Sequence, residues 1–167
     1  MKTQPNRIFY FSLILLSLFF ASCSRDDTPA DQFTPQDLSL IHDDSEKTWR
    51  ITAFYSNYDQ RILHDFNDCY MDDQYTFKAS TEDVETLLGQ QGCYWINPDE
   101  AAATISYSFN PENGLITLNH GRGESNGNEF ASNFFFIQLL ELSETRMLFA
   151  DDIDGRLVRA IELEKVN

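Results

Sequence analysis

From Thr104 to Phe109 polar and apolar residues alternate one for one, with Ile105, Tyr107 and Phe109 on one parity and Thr104, Ser106 and Ser108 on the other. Successive side chains of an extended chain point to opposite faces, so this stretch buries its apolar set only as a β-strand with one wet side. The same period recurs where Trp49, Ile51, Ala53 and Tyr55 alternate with Arg50, Thr52, Phe54 and Ser56, and again at Tyr75 and Phe77. Strand composition bounded by Asn, Gly, Asp and Pro clusters predicts further strands over 84–88, 115–119, 129–142, 145–151 and 156–164, which makes eight. Asn113-Gly114 and Asp154-Gly155 fall between such strands, and both dipeptides suit tight hairpin turns. Consecutive strands are therefore expected to pair antiparallel. One short helix is predicted over 35–42, where Thr34 can cap, Pro35 suits the first helical position and Phe33 can staple onto Leu38. An all-β fold follows: an eight-stranded antiparallel up-and-down barrel, which leaves no exposed sheet edge, with a two-sheet β-sandwich as the alternative.

The N-terminus has a different character. Lys2 and Arg7 precede an apolar run from Ile8 to Phe20 broken only by Ser12 and Ser17, and Ala21-Ser22-Cys23 follows. This is the layout of an export signal, too short in its apolar part for an ordinary membrane-spanning helix of about 20 residues. Small residues directly before a cysteine resemble a bacterial lipobox, so residues 1–22 are expected to be removed and Cys23 to be lipidated. Ser24-Arg25-Asp26-Asp27 resembles the export tag of Bacteroidetes-type lipoproteins, and a solvated acidic linker over 23–32 explains the same residues equally well. The expected location is the bacterial outer membrane, lipid-anchored and open to display at the cell surface. About 145 residues then remain, one domain's worth over 33–167, and 42% hydrophobic residues with 14% aromatic suffice for a single core.

Charge and cysteines narrow the partners. The formal charge of −15 becomes −17 once Lys2 and Arg7 leave, which argues against nucleic acid and anionic lipid as electrostatic partners. Of three cysteines, lipidation consumes one, leaving Cys69 and Cys93 to bridge in an oxidising compartment. A zinc site lacks support, because no Cys-x-x-Cys or His-x-x-x-His spacing is present and His42, His64 and His120 are scattered.

Across residues 46–165 the chain resembles the lipocalin-like lipoproteins of Bacteroidetes. Glu46-Lys47-Thr48-Trp49-Arg50-Ile51 is similar to the tryptophan-bearing start of lipocalin strand A, and Asp68-Cys69-Tyr70-Met71-Asp72-Asp73-Gln74-Tyr75-Thr76-Phe77 to the family's second-strand region, with Cys93 in the place of its later cysteine. The resemblance implies that Arg159, on the parity of Leu157, Ile161 and Leu163, packs on Trp49.

No catalytic set can be nominated. The 27 acidic residues are spread mainly through turns, with no nucleophile beside a base and no carboxylate pair at a defined separation, so the chain is not expected to be an enzyme or to carry a cofactor. Asp65, Asn67, Asp68, Asp72 and Asp73 lack the Gly and final Glu of a helix-loop-helix calcium site, and Asp151, Asp152 and Asp154 are explained by the hairpin turn that Gly155 completes. Gly121, Gly123 and Gly127 between Asn119 and Glu129 fit no phosphate-cradling pattern and read as a mobile loop. Two functions are expected from these features. In the first, Trp49, Tyr55, Tyr75, Phe77, Tyr107 and Phe109 line a barrel lumen that takes a small hydrophobic ligand. In the alternative, large side chains fill the barrel, and function lies on its acidic surface or on a protein-partner strip at Phe134, Phe135, Phe136 and Ile137. If the N-terminal helix does not cover that strip, it remains an exposed aromatic patch.

Overall fold

The computed structural model describes residues 32–96 and 100–167. The export segment, Cys23 and all of the acidic linker except Gln32 lie outside them. The elements run α1 (Leu38–His42), β1 (Glu46–Asn57), β2 (Ile62–Leu63), α2 (Asn67–Met71), β3 (Gln74–Lys78), β4 (Thr81–Leu87), β5 (Glu100–Asn110), β6 (Leu115–Ser125), β7 (Phe130–Leu142), β8 (Arg146–Ile153) and β9 (Arg156–Lys165). Apart from α1 and α2 this is an all-β fold. Hydrogen bonding follows chain order from β3 to β9, and β1 pairs with both β3 and β9, which closes eight antiparallel strands into a barrel. Closure excludes the two-sheet sandwich. The ninth strand, β2, pairs outside the barrel with the end of β1. At two residues it is too short to carry a periodic signal.

Turn chemistry is as expected at β8–β9, where Asp154 and Gly155 both have positive φ (54° and 74°), the requirement of a two-residue hairpin that follows the strand twist. At β5–β6 only Gly114 has positive φ (68°), and its N–H donates to Asn110 O at 2.8 Å to close a longer turn. A Cβ there would meet Phe33 O at 2.8 Å, so the glycine also lets the N-terminal segment approach, and Phe33 N–H donates to Gly114 O at 2.9 Å. That segment and α1 seal one end of the barrel. Trp49, fully buried, donates through Nε1 to Ile41 O at 2.8 Å, while the buried Lys47 reaches Leu40 O (2.8 Å) and Asp43 (3.1 Å) with its ammonium 4.7 Å from the Trp49 ring centre. A cation is well placed there, against the orphan carbonyls of a helix C-terminus. We call this the helix end. The opposite end is filled by α2 and the chain after β4, which Cys69 and Cys93 join covalently (Cα–Cα 5.2 Å), and we call it the plug end.

Two sequence expectations are corrected by backbone detail. The pairing Ile51↔Leu163 followed by Ala53↔Glu162 marks a bulge in β1, and the extra residue flips the parity beyond it. Phe54 is therefore inside and fully buried, whereas Tyr55 packs outside the barrel with Ala53, Tyr58, Leu148, Ala150 and Ala160. The second correction concerns the glycine-containing stretch 119–129. β6 runs on to Ser125 with an unbroken alternation of buried and half-buried residues, so only a four-residue turn, 126–129, connects it to β7.

Candidate functional site

Sequence reasoning expected a lumen. Of its six residues, Trp49, Tyr75, Phe77 and Tyr107 are buried inside the barrel and Phe109 packs against the same core, while Tyr55 lies outside. Inward side chains fill the interior. Between Ile51, Tyr75, Phe77, Ile105, Leu118, His120, Ile161 and Leu163 only a narrow gap remains, with no point wide enough for a water-sized sphere. Towards the plug end the interior is crossed by a pile of rings: His64 stacks on Phe54 (4.3 Å), Phe54 on Phe135 (5.4 Å) and Phe135 on His120 (4.7 Å, 3° between planes).

Arg159 points inward, as its parity requires, but its guanidinium lies 5.5 Å from the Phe135 ring centre rather than on Trp49. Register explains the correction. Trp49 faces Lys165, six residues along β9 from Arg159, which is roughly 20 Å at 3.3 Å per residue. Lys47 takes the place over Trp49 that the resemblance assigned to Arg159.

β6 shows how the plug end is built. Its inward residues, from the helix end upward, are Ile116, Leu118, His120, Arg122 and Glu124, an apolar face that turns ionic. Arg122 is 2% exposed, and its guanidinium pairs with Asp73, contacts Glu124 (3.2 Å) and donates to Cys69 O (2.9 Å) and Gln91 O (3.0 Å). Each carboxylate is held again: Asp73 accepts Gly89 N–H (2.8 Å) and Tyr75 O–H (3.1 Å), and Glu124 accepts Cys93 N–H (2.7 Å) and Tyr94 N–H (3.0 Å). Asp72 adds bonds from Gln90 and Gln91 N–H (2.7 and 3.0 Å). One guanidinium, three carboxylates and a disulfide thus fasten α2 and the 89–94 segment to the barrel wall. Sequence reading missed Arg122 and Glu124, although their spacing of two from His120 across Gly121 and Gly123 was a strand signal with a polar inward face.

Burial dominates the ionisation of this cluster. It raises Asp73 above the ordinary aspartate value, against the lowering effect of the Gly89 N–H and Arg122, and raises Tyr70 to about 12. His120 is pushed down to about 3 by burial and by the Arg122 charge, so it is neutral, with Nδ1 unpartnered and Nε2 3.4 Å from Tyr75 Oη. These groups are sealed from solvent, so their chemistry is that of a lock. The acidic residues weighed as a calcium loop are dispersed, with Asp73 turned inward to Arg122 and Asp72 occupied by the backbone. Among the described residues no three His, Cys, Asp or Glu gather to hold a metal ion.

The outer wall offers an open surface. β7 alternates, so the expected strip separates into Phe135 and Ile137, which are buried inside, and Phe134 and Phe136, which face out with Phe130 at 56%, 60% and 72% exposure. α1 does not cover them, being committed to the helix end. The β5–β6–β7 registers place outward residues in cross-strand rungs: Thr104, Gly121 and Phe134 form one, and Ser106, Asn119 and Phe136 the next. Phe134 lies across Gly121 and Phe130 across Gly123, so close that a Cβ would meet their ring carbons at 2.9 and 2.6 Å. Phe136 stands edge-on to Phe134 at 82°.

No protein-family model, curated protein or solved structure matches this chain.

Proposed function

We propose that this chain is an exported, lipid-anchored recognition module, built on a lipocalin-like barrel that is filled rather than hollow, whose working surface is the outward β5–β7 face. The observation that carries the reading is that the interior gap lined by Tyr75, Phe77, Ile105 and His120 seats no water molecule, beneath a plug fixed by Arg122 and the Cys69–Cys93 bridge. Ligand pockets are commonly some 300–1,000 Å³ and open to solvent. Phe130, Phe134 and Phe136, uncovered on a chain otherwise rich in charge, supply the surface. The lipobox-like Ala21-Ser22-Cys23 supports anchoring through Cys23 to the outer membrane, which leaves the barrel tethered by the linker.

Binding of a small hydrophobic molecule is the second reading, and it has one observation in its favour: His120 Nδ1 is buried without a partner on a ring that lines the gap. Any ligand there would have to displace packed aromatic side chains. Titrating fatty-acyl, retinoid and sterol compounds against the tryptophan fluorescence of Trp49 and Trp95 together tests the choice. The filled-barrel reading expects no saturable change. A saturable change abolished by Tyr107→Ala, in a variant shown to be folded, would replace it with the ligand-binding one.

A further inference from the structure

The chain carries −15 formal charges, yet the outward face of β5–β7 is almost free of them. In the five rungs from Glu100–Ser125–Phe130 to Ser108–Thr117–Gln138, Glu100 is the one ionisable residue, and the four rungs above it hold none. Across all five rungs stand three phenylalanines, two glycines, a row of hydroxyls on β5 (Thr104, Ser106 and Ser108) and the amides of Asn119 and Gln138. The rings are laid down on purpose-built space: Phe134 and Phe130 rest across Gly121 and Gly123, so each keeps one face towards solvent. Four residues separate them on one strand, roughly 13 Å at 3.3 Å per residue.

The geometry points to a binding platform for an uncharged polysaccharide chain on this face. The negative face of an aromatic ring attracts the partly positive C–H groups of a pyranose, and the flanking hydroxyl and amide groups can meet its equatorial hydroxyls. Charge complementarity favours a neutral partner, since a cationic segment would find no carboxylate in the upper four rungs of these three strands, where the nearest is Asp83 on β4 opposite Ser106, and an anionic one would meet the field of the whole chain. A second copy fits poorly. Three strands about 4.8 Å apart and eleven residues long cover roughly 500 Å², short of the about 800 Å² per partner that stable protein interfaces use. An extended glycan needs only a narrow track. This inference rests on the surface-recognition reading and names the partner class for it.

The test uses the full chain carrying Cys23→Ala, so that no lipid anchor competes, in native gels cast with xylan, β-glucan, galactomannan or starch. Retardation by at least one of these is expected, with affinity falling about five- to tenfold in Phe134→Ala and in Phe130→Ala, both of which leave the interior untouched and keep the wild-type unfolding midpoint. Failure of all four polysaccharides overturns the inference, as does retardation that survives loss of both rings. Dimerisation in the ultracentrifuge, or sedimentation with phosphatidylcholine vesicles, that Phe134→Ala abolishes would also overturn it while leaving the surface-recognition reading intact. A stoichiometric small molecule extracted from the barrel would instead strike that reading itself.

Discussion

Replacing Arg122 by Met keeps most of the side-chain volume and removes the charge around which the plug is organised. In the variant Asp73 and Glu124 stay buried (0% and 1% exposed), each retaining two hydrogen-bond donors but facing no cation, and the carbonyls of Cys69 and Gln91 lose their donor. Breaking a buried ion pair from one side costs about 3–5 kcal/mol, because the partner charge is left uncompensated. Against a total stability of about 5–15 kcal/mol that is a large fraction. Urea unfolding at pH 7, followed by tryptophan fluorescence, is expected to show that loss. Neutralising the partners as well, in Arg122→Met with Asp73→Asn and Glu124→Gln, is expected to lose less than Arg122→Met alone, since no unpaired charge then remains buried. A loss below about 1 kcal/mol for the single variant, or a triple variant as costly as its three parts added, would refute the reasoning.

Acid sensitivity gives a second prediction. His120 is held neutral down to about 3, whereas in the unfolded chain it takes up a proton near 6.5. The unfolded state therefore binds more protons in this window, and stability present above pH 6.5 is lost as pH falls towards 3. Asp73, raised by burial, acts oppositely above the ordinary aspartate value of 3.8, so the His120 slope builds up as pH falls below 6.5 and is offset where Asp73 takes up its proton. His120→Phe, which preserves the stack on Phe135, is expected to flatten it in unfolding midpoints measured by pH. The Cys69–Cys93 bridge closes a loop with sequence separation 24, so Cys69→Ser with Cys93→Ser is expected to lose about 3–4 kcal/mol in urea; two alkylatable thiols in native wild-type protein would contradict the bridge. Cys23→Ala is expected to leave the membrane fraction on cell fractionation, and unchanged membrane partition would remove the anchor from the account.

What could be read in the sequence was whatever local periodicity controls. The Thr104–Phe109 alternation lies within β5 with its expected inward set, and the Asp154-Gly155 turn follows from positive φ at two residues. Legibility failed where one residue of backbone detail decides the outcome. The bulge after Ile51 exchanges Phe54 for Tyr55 in the interior, and no residue in Ile51-Thr52-Ala53 announces it. Long-range register defeated the Arg159 assignment, since parity chooses a face but not a height along the barrel. Arg122 and Glu124 were hidden by convention, because glycine and charge are normally read as loop, whereas here the glycines bed outward phenylalanines and the charges face a sealed interior. The Phe134–Ile137 strip was read as an aromatic patch that the N-terminal helix either covers or leaves exposed, and what could not be seen was that α1 would be used at the helix end.

A filled barrel would carry no small-molecule cargo. Protein purified from its own envelope, extracted under denaturing conditions and analysed by mass spectrometry, tests it most directly. The expected result is the anchor on Cys23 and no other molecule in stoichiometric yield. A hydrophobic compound recovered at one per chain from wild type, and lost from a folded Tyr107→Ala variant, would contradict it.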